Sequence, residues 1–243
     1  MSTSNVSPKL LVAADAAALA REAADNILAW AVAAPGPVRI ALSGGSTPRR
    51  TYQELVSARL INRFPWPKVQ LYWGDERFVP PDDKDSNYRM TREAMLDVAP
   101  IPPANIHPVQ TVGLDADASA AAYEAELKDV YGSATLQPDR PLFDICLLGL
   151  GDDGHTASLI PGEPVLEERK RWVAVVGHGR PEVRITLTYP AINASRHILF
   201  LVSGAAKRDV LKQVLAGDTT KPAARLSPTG ELVFIVDRAA AGT

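Results

Sequence analysis

Short apolar runs alternate with amphipathic stretches along most of the chain. A run of about five aliphatic or aromatic residues indicates a strand covered on both faces, and apolar residues spaced at 3.6 indicate a helix. Strands are predicted at 38–42, 69–73, 143–148, 172–176, 183–188, 197–202 and 231–236. Helices are predicted after Asp15, Pro48 and Ser86, at about 117–131, and at 205–215. This alternation predicts an α/β fold with a mainly parallel sheet, and the closely spaced strands between 172 and 202 predict a smaller region with antiparallel pairing.

Three polar loops directly follow predicted strands. They are "SGGST" at 43–47, "GDERF" at 74–78, which opens a long polar loop to residue 87, and "GDDGHTAS" at 151–158. In open α/β sheets ligands bind at the carboxyl ends of the strands. If the strands are parallel neighbours, the three loops converge on one crevice.

The first loop has the composition of a phosphate cradle. Glycines let backbone N–H groups approach an anion, hydroxyls add donors, and Pro48 opens a helix whose N-terminus adds positive potential. The residues concerned are Ser43, Gly44, Gly45, Ser46 and Thr47. Neither the dinucleotide fingerprint nor the lysine-bearing nucleotide loop is present. A tight strand–helix turn that merely needs glycine is the alternative.

Charged residues supply the other candidates. Asp75 and Arg77 directly follow a strand, although a solvated charged turn would look the same. Arg184 lies within an apolar strand, where a charge is costly unless paired, so it meets either a bound anion or a structural carboxylate. Lys207 begins a helix. Asp153 and His155 form a titratable pair in the third loop.

Composition narrows the class of protein. The chain has 243 residues, is 46% apolar and has a net charge of −2, which fits one domain spanning residues 1–243. It has no block of Lys/Arg, no signal-peptide pattern and no apolar run long enough to span a membrane, so we expect a cytoplasmic protein that binds neither nucleic acid nor membrane. The single cysteine, Cys146, is expected to be a small buried hydrophobe.

The histidines indicate no metal and no cofactor. The chain has four, without a metal-binding spacing. His107 and His197 are expected to be structural, and His178, in a loop between two glycines, is only a minor candidate for the border of the pocket. Ser158 is also expected to be structural, because "HTAS" is not a nucleophile elbow.

Five stretches, in order from residue 42 to residue 211, resemble the 6-phosphogluconolactonases of the pentose phosphate pathway. They are "LSGGSTP", "WGDERFVP" with "DSNYRM", "GLGDDGHTASLIPG", "RITLTYPAIN" and "LVSGAAKRDVL". That family is related to the glucosamine-6-phosphate deaminases/isomerases. The resemblance implies a modified Rossmann-like sheet flanked by helices on both faces, and hydrolysis of 6-phospho-D-glucono-1,5-lactone by a monomer or weak homodimer.

The resemblance also implies roles for the candidate residues. Residues 43–47 match the loop that holds the substrate phosphate, with Arg184 and Lys207 as its cationic partners. Asp75 and Arg77 match a polar pair near the sugar ring. His155 matches the general base, a role suited to histidine because it titrates near neutral pH. Either Asp75 or Asp153 is expected to fix its tautomer.

Three alternatives remain at this point. A glucosamine-6-phosphate deaminase/isomerase resembles the chain less well, because its family has a glutamate five residues after the histidine and Ile160 stands here. A non-catalytic sugar-phosphate sensor would keep the phosphate-binding residues but would not need Asp75, Arg77 and His155. An α/β hydrolase of another phosphorylated ester would use the same groups.

Overall fold

A seven-stranded parallel sheet and a three-stranded antiparallel sheet organise the molecule. The structure is a computed structural model that describes residues 7–177 and 182–243. The strands of the large sheet are β1 Lys9–Ala13, β2 Val38–Leu42, β3 Val69–Trp73, β5 Ile106–His107, β6 Phe143–Leu148, β9 Ser195–Val202 and β10 Glu231–Asp237. The strands of the small sheet are β4 Asp75–Arg77, β7 Val173–Val176 and β8 Arg184–Leu187. The predicted fold class is confirmed.

Helices lie between the strands along the chain, and the last one follows β10. They are α1 Ala16–Ala33, α2 Ser46–Leu55, α3 Asn87–Thr91, α4 Ala116–Tyr131, α5 Tyr189–Asn193, α6 Arg208–Leu215 and α7 Arg238–Ala241. As predicted, Asp15 begins α1, and its carboxylate accepts a hydrogen bond from the Ala18 N–H at 2.7 Å. Leu19, Ala23 and Ile27 form the buried face of this helix. Burial of that face, rather than helix propensity alone, fixes α1 on the sheet.

The strand order places the polar loops together. The large sheet has the order β1-β10-β9-β6-β2-β3-β5, so β2 and β6 are neighbours at its centre. The next strand of this sheet after β2 lies on one side of the pair, and the next after β6 lies on the other. This is a topological switch point, where a crevice opens beyond the strand ends. The loops 43–47 and 149–158 follow these two strands.

The central strand β6 is buried on both faces. Five of its six residues are buried, in agreement with its continuous apolar sequence. Cys146 is fully buried there, and burial raises the pKa of its thiol to about 12. The predicted role of Cys146 as a buried hydrophobe is confirmed.

The segment 74–87, predicted to be a polar loop throughout, contains β4. This strand pairs antiparallel with β8, aligning Asp75 with Thr186 and Arg77 with Arg184. The prediction failed because a strand of three charged residues has no apolar periodicity, and the hydrogen bonds that permit its burial come from residues distant in sequence.

The apolar spacing predicts Met90, Ala94 and Val98 on one face of the helix after Ser86, and Tyr123, Leu127 and Val130 on one face of the helix at about 117–131. Each face differs from the structure at its last residue. The helix after Ser86 continues through a π-helical turn at Arg92–Leu96, which shifts the register, so Val98 is exposed rather than on the buried face. In α4, Tyr123 and Leu127 are buried as predicted, but Tyr131 continues that face and Val130 is exposed.

Candidate active site

A cavity of about 370 Å³ lies at the carboxyl ends of β2, β6 and β9, a volume suited to a small ligand. Ten of the eleven predicted site residues line it. They are Ser43, Gly44, Gly45, Ser46, Thr47, Asp75, Arg77, His155, Arg184 and Lys207. The eleventh, Asp153, is not among the lining residues but contacts His155. The predicted convergence of the three loops on one crevice is therefore observed.

The first loop is held by a buried tyrosine. The Tyr52 hydroxyl accepts a hydrogen bond from the Ser43 N–H at 2.9 Å and donates one to the Ser43 carbonyl at 2.8 Å. Burial raises the pKa of Tyr52 far above its ordinary value, so the hydroxyl keeps its proton. This contact fixes the point where β2 enters the loop.

The structure explains why glycine stands at positions 44 and 45 of this loop. A Cβ on Gly44 would lie 2.0 Å from Oδ1 of Asn87, so only glycine permits that close approach. Gly45 has φ of 104° and is the N-cap of α2. Because glycine has no side chain to cap the helix, the first N–H groups of α2 stay available to an anion.

Asn87 is a cavity residue that the sequence analysis missed. It lies at the start of α3, is buried, and donates from Nδ2 to the Asp75 carbonyl at 2.9 Å. It thereby joins the phosphate-loop candidate to β4. It lies within the stretch "DSNYRM" that resembles the family, but that stretch by itself assigns it no place in the site, since its position depends on the packing of α3 against Gly44.

The side chain of Asp75 is buried and specifically bonded. Its Oδ2 accepts a hydrogen bond from Ser158 Oγ at 2.7 Å, and the Ser158 N–H donates to Thr186 Oγ1 at 3.1 Å. Ser158 thus ties β4 and β8 to the third loop, which agrees with its predicted structural role. The alternative of a solvated charged turn at Asp75 is wrong.

Glu76 anchors the segment that follows. Its carboxylate accepts hydrogen bonds from the N–H groups of Arg77, Asn87 and Tyr88 at 2.7–2.8 Å. Burial raises the pKa of Glu76 to about 6, against the opposing effect of those hydrogen bonds. This residue stabilises the start of α3 from inside the protein.

Two arginines face each other across the small sheet. Arg77 and Arg184 are directly opposite in the β4–β8 register, and both line the cavity. Like charges at directly opposed positions repel each other. Arg184 Nη2 lies 3.2 Å from Oε2 of Glu182, whereas Arg77 Nη1 donates to the Asp85 carbonyl at 2.5 Å. An anion in the cavity would relieve this repulsion.

Lys207 lines the cavity from the turn that follows β9. Its Nζ lies 2.5 Å from Oδ1 of Asp152, which also lines the cavity. The turn before Lys207 is held by Asp237, whose carboxylate accepts from Ser203 Oγ and the Gly204 N–H. Desolvation raises the pKa of Asp237, but these hydrogen bonds outweigh it and keep this pKa below its ordinary value.

His155 pairs with Asp153. Nδ1 of His155 lies 2.6 Å from Oδ1 of Asp153, and the same oxygen accepts from the His155 N–H at 3.0 Å. Partial desolvation raises the pKa of Asp153, but the hydrogen bonds from His155 outweigh it and bring this pKa below its ordinary value. An ionised carboxylate only accepts hydrogen bonds, so Nδ1 carries a proton towards Asp153, and Nε2 is the ring nitrogen left for a ligand. Asp75 is bonded to Ser158 instead.

The turn around His155 has little space and a strained residue. A Cβ on Gly151 would lie 2.1 Å from the His155 Nδ1, so glycine is needed for the imidazole to occupy its place. Ala157 has φ of 48°, a left-handed conformation uncommon for alanine, and lines the cavity. Backbone strain of this kind concentrates at functional sites.

Two other histidines have structural partners. His107 Nδ1 contacts Glu126 at 2.6 Å, and His197 stacks on Trp30 with ring centroids 4.3 Å apart. His178 lies outside the described residues. Within residues 7–177 and 182–243 there is no cluster of three potential metal ligands of the His, Cys, Asp or Glu type. None of the helices in those ranges has the length and apolar character needed to cross a bilayer.

Comparison with known proteins identifies the family. Residues 14–235 match the family model described as glucosamine-6-phosphate isomerases/6-phosphogluconolactonase. The chain belongs to this family. A 6-phosphogluconolactonase of Nostoc sp. is 43% identical over 232 residues, covering 93% of this chain and 94% of that protein.

Solved structures of the family have the same fold. A 6-phosphogluconolactonase from Trypanosoma cruzi superposes with a TM-score of 0.81 at 30% identity, covering 100% of this chain and 98% of that one. A monomeric glucosamine-6-phosphate deaminase gives a TM-score of 0.82 at 22% identity, covering 96% and 99%. The second likeness concerns the fold alone. The fold therefore does not distinguish between the two activities of the family. Only the residues of the site can distinguish between them.

Position 160 bears on that distinction. Ile160 is buried in the hydrophobic core and is not among the residues lining the cavity. In the family pattern, the deaminases have a glutamate five residues after the histidine, at the position that Ile160 occupies in this chain. Its carboxylate has no equivalent in this chain at that position.

Proposed function

We propose that the protein is a carboxylic ester hydrolase that converts 6-phospho-D-glucono-1,5-lactone to 6-phospho-D-gluconate in the oxidative branch of the pentose phosphate pathway. The observation that carries the proposal is the Asp153–His155 pair at a cavity that is also lined by the glycine loop 43–47 and by three cationic side chains. The high identity to proteins named 6-phosphogluconolactonase supports the same substrate.

The phosphate of the substrate is assigned to the glycine loop. The N–H groups at the start of α2 and the hydroxyls of Ser46 and Thr47 are donors suited to phosphate oxygens. Arg184 and Lys207 neutralise its charge. Holding the phosphate at a fixed site positions C1 of the lactone relative to His155, and such positioning is a large part of catalysis.

His155 is assigned as the general base. Its Nε2 takes a proton from a water molecule as that water attacks C1, while Asp153 holds the imidazole tautomer and stabilises the imidazolium. The proton then passes to the ring oxygen as the C1–O bond breaks. General base catalysis of this kind contributes about 10²–10⁴-fold. The two proton transfers through His155 complete the hydrolysis, so no covalent enzyme intermediate is required.

Arg77 and Asp75 are assigned to the sugar. The Arg77 guanidinium stabilises the oxyanion that develops on the carbonyl oxygen of C1. Asp75 contributes a fixed carboxylate, oriented by Ser158, for the hydroxyls of the ring. Both residues lie on β4, so the alignment of one supports that of the other.

A cytoplasmic location and a monomeric or weakly dimeric state belong to the proposal as well. The single cysteine is an unpaired thiol in β6, which suits a reducing compartment. Chromatography at several protein concentrations tests the oligomeric state.

The test is hydrolysis of freshly prepared 6-phosphoglucono-1,5-lactone, followed as proton release with the spontaneous rate subtracted. Wild type is expected to accelerate the reaction, and folded His155→Asn to lose at least about 10²-fold. If wild type gives no acceleration, the activity is wrong, and turnover of glucosamine 6-phosphate and then binding without turnover are measured. If both proteins are fast, the activity is right and the assignment of the base is wrong.

A further inference from the structure

The cavity cation Lys207 is already paired with a carboxylate. Its Nζ lies 2.5 Å from Oδ1 of Asp152, and both residues line the cavity. The second cation with a carboxylate partner, Arg184, differs in one respect. Its partner Glu182 is not among the residues that line the cavity. Asp152 therefore meets its cation at the cavity surface, where a bound anion would meet the same cation, whereas Glu182 contacts its arginine from outside the cavity lining.

The Asp152 side chain is free to leave this position. It is 82% exposed, whereas the Lys207 side chain is only 25% exposed. An ion pair with one well-solvated partner is weak, because water and a second anion compete for the cation. The lysine is thus the fixed member of the pair and the aspartate the exchangeable one.

Adjacent aspartates have different positions relative to the cavity. Asp153 contacts His155 and is not among the lining residues, while Asp152 lines the cavity. Both belong to the same turn, which Gly151 and His155 close through a backbone hydrogen bond of 2.8 Å. A negative charge at Asp152 therefore lies beside Lys207 and in the same turn as the proposed base.

The proposed reaction changes the charge of its ligand. Hydrolysis breaks the bond between C1 and the ring oxygen, forms a bond from C1 to the water oxygen, and leaves a carboxylic acid that releases one proton at neutral pH. The product therefore carries one more negative charge than the lactone. A carboxylate beside the cavity repels the product more than the substrate.

We propose that Asp152 is a specificity-determining residue that competes with anions for Lys207 and disfavours the more highly charged product. This inference rests on the proposed assignment of Lys207 to the substrate phosphate. The alternative is that Asp152 merely positions Lys207. The two roles predict opposite signs, because removing a competitor tightens anion binding and removing a support weakens it.

The test is calorimetric titration of the folded full-length protein with inorganic phosphate, glucose 6-phosphate and 6-phosphogluconate. Asp152→Asn is expected to bind phosphate about two- to fivefold more tightly than wild type, the range of a solvated ion pair. It is also expected to gain more affinity for 6-phosphogluconate than for glucose 6-phosphate, which has no carboxylate. Asp152→Glu restores the competing charge and stays near wild type.

Asp25→Asn is the matched control, since it removes one negative charge from a solvent-exposed ion pair with Arg59. It is expected to leave phosphate affinity unchanged. Unchanged or weaker phosphate binding by Asp152→Asn overturns the proposal, as does equal tightening by Asp25→Asn. Because these titrations need no turnover, tightening by Asp152→Asn in a protein that does not hydrolyse the lactone would refute the proposed function and leave the competition at Lys207 standing.

Discussion

Nδ1 of His155 lies 2.6 Å from Oδ1 of Asp153, and this carboxylate oxygen also accepts the backbone N–H of the same histidine. One aspartate therefore sets both the conformation of the turn and the orientation of the ring. A neutral amide at position 153 cannot stabilise an imidazolium. For Asp153→Asn we expect a fall in kcat of at least about 10²-fold with little change in KM.

Steady-state hydrolysis of the lactone measures this effect. Asp129→Asn, on the exposed end of α4, is the control and keeps wild-type kcat. Wild-type kcat in Asp153→Asn would show that the imidazole needs no partner.

Gly151 leaves the space that the imidazole fills. In Gly151→Ala the new Cβ would meet Nδ1 of His155 at 2.1 Å, so the ring must move away from Asp153. We expect the protein to fold and kcat to fall by about 10²-fold, because displacement of a catalytic group by about 1 Å is enough for such a loss. In the control Gly36→Ala the added Cβ has no atom within 4 Å, and activity is retained. Normal kcat for Gly151→Ala would contradict the geometry of this turn.

Ser158 supports Asp75 from a buried position. Ser158→Ala leaves Oδ2 of Asp75 without its hydroxyl donor, and an unsatisfied buried acceptor costs about 1–3 kcal/mol. Urea unfolding should show this decrease in the free energy of unfolding, while exposed Ser227→Ala stays within about 0.5 kcal/mol of wild type. Activity should fall less than in His155→Asn. If it fell as far, Ser158 would be a candidate nucleophile.

Glu76 makes a pH-dependent contribution to stability. Its pKa in the folded protein is about 6, above the ordinary value of 4.5, because burial disfavours the ionised form. Between these pH values the folded protein holds a proton that the unfolded chain has lost, so the free energy of unfolding decreases as the pH rises from 4.5 to about 6. The full loss, from a pH well below 4.5 to a pH well above 6, is about 2 kcal/mol.

Glu76→Gln has no titrating group at this position. Urea unfolding of both proteins at pH 4.5 and pH 7 isolates the contribution, because all other groups are shared. On going to the higher pH, wild type should lose about 1.5 kcal/mol relative to the variant, most of the full effect. A constant difference between the two proteins at both pH values would show that the Glu76 pKa is not raised.

The fold was predictable where strands are buried on both faces. β2, β3, β6, β9 and β10 are apolar runs, and their sequences show it directly. By contrast, β4 is made of charged residues whose burial depends on Ser158, Asn87 and Tyr88. β5 has only two residues and lies in a proline-rich segment. Contacts distant in sequence decide both strands, so no local pattern reveals them.

The candidate site was predictable to the level of loops. The rule that ligands bind at the carboxyl ends of parallel strands brings residues 43–47 and His155 together before any coordinates are known. It does not say that Asp75 is bonded to Ser158 while Asp153 takes His155. Nor does it point to Ser203, which lines the cavity after β9 and is held by Asp237. Those pairings depend on side-chain geometry between separate loops.

The close contact between Gly44 and Asn87 constrains any redesign of the protein. The amide of residue 87 fills the volume of a missing side chain at residue 44 and also holds the backbone of Asp75. A library that varies the glycine loop alone would therefore fail mostly through collisions with Asn87 rather than through altered ligand preference. Positions 44 and 87 have to be diversified together, with the smaller residue at one allowing the larger at the other. A change in ligand preference at this loop therefore requires a coordinated change in the packing of α3 against it.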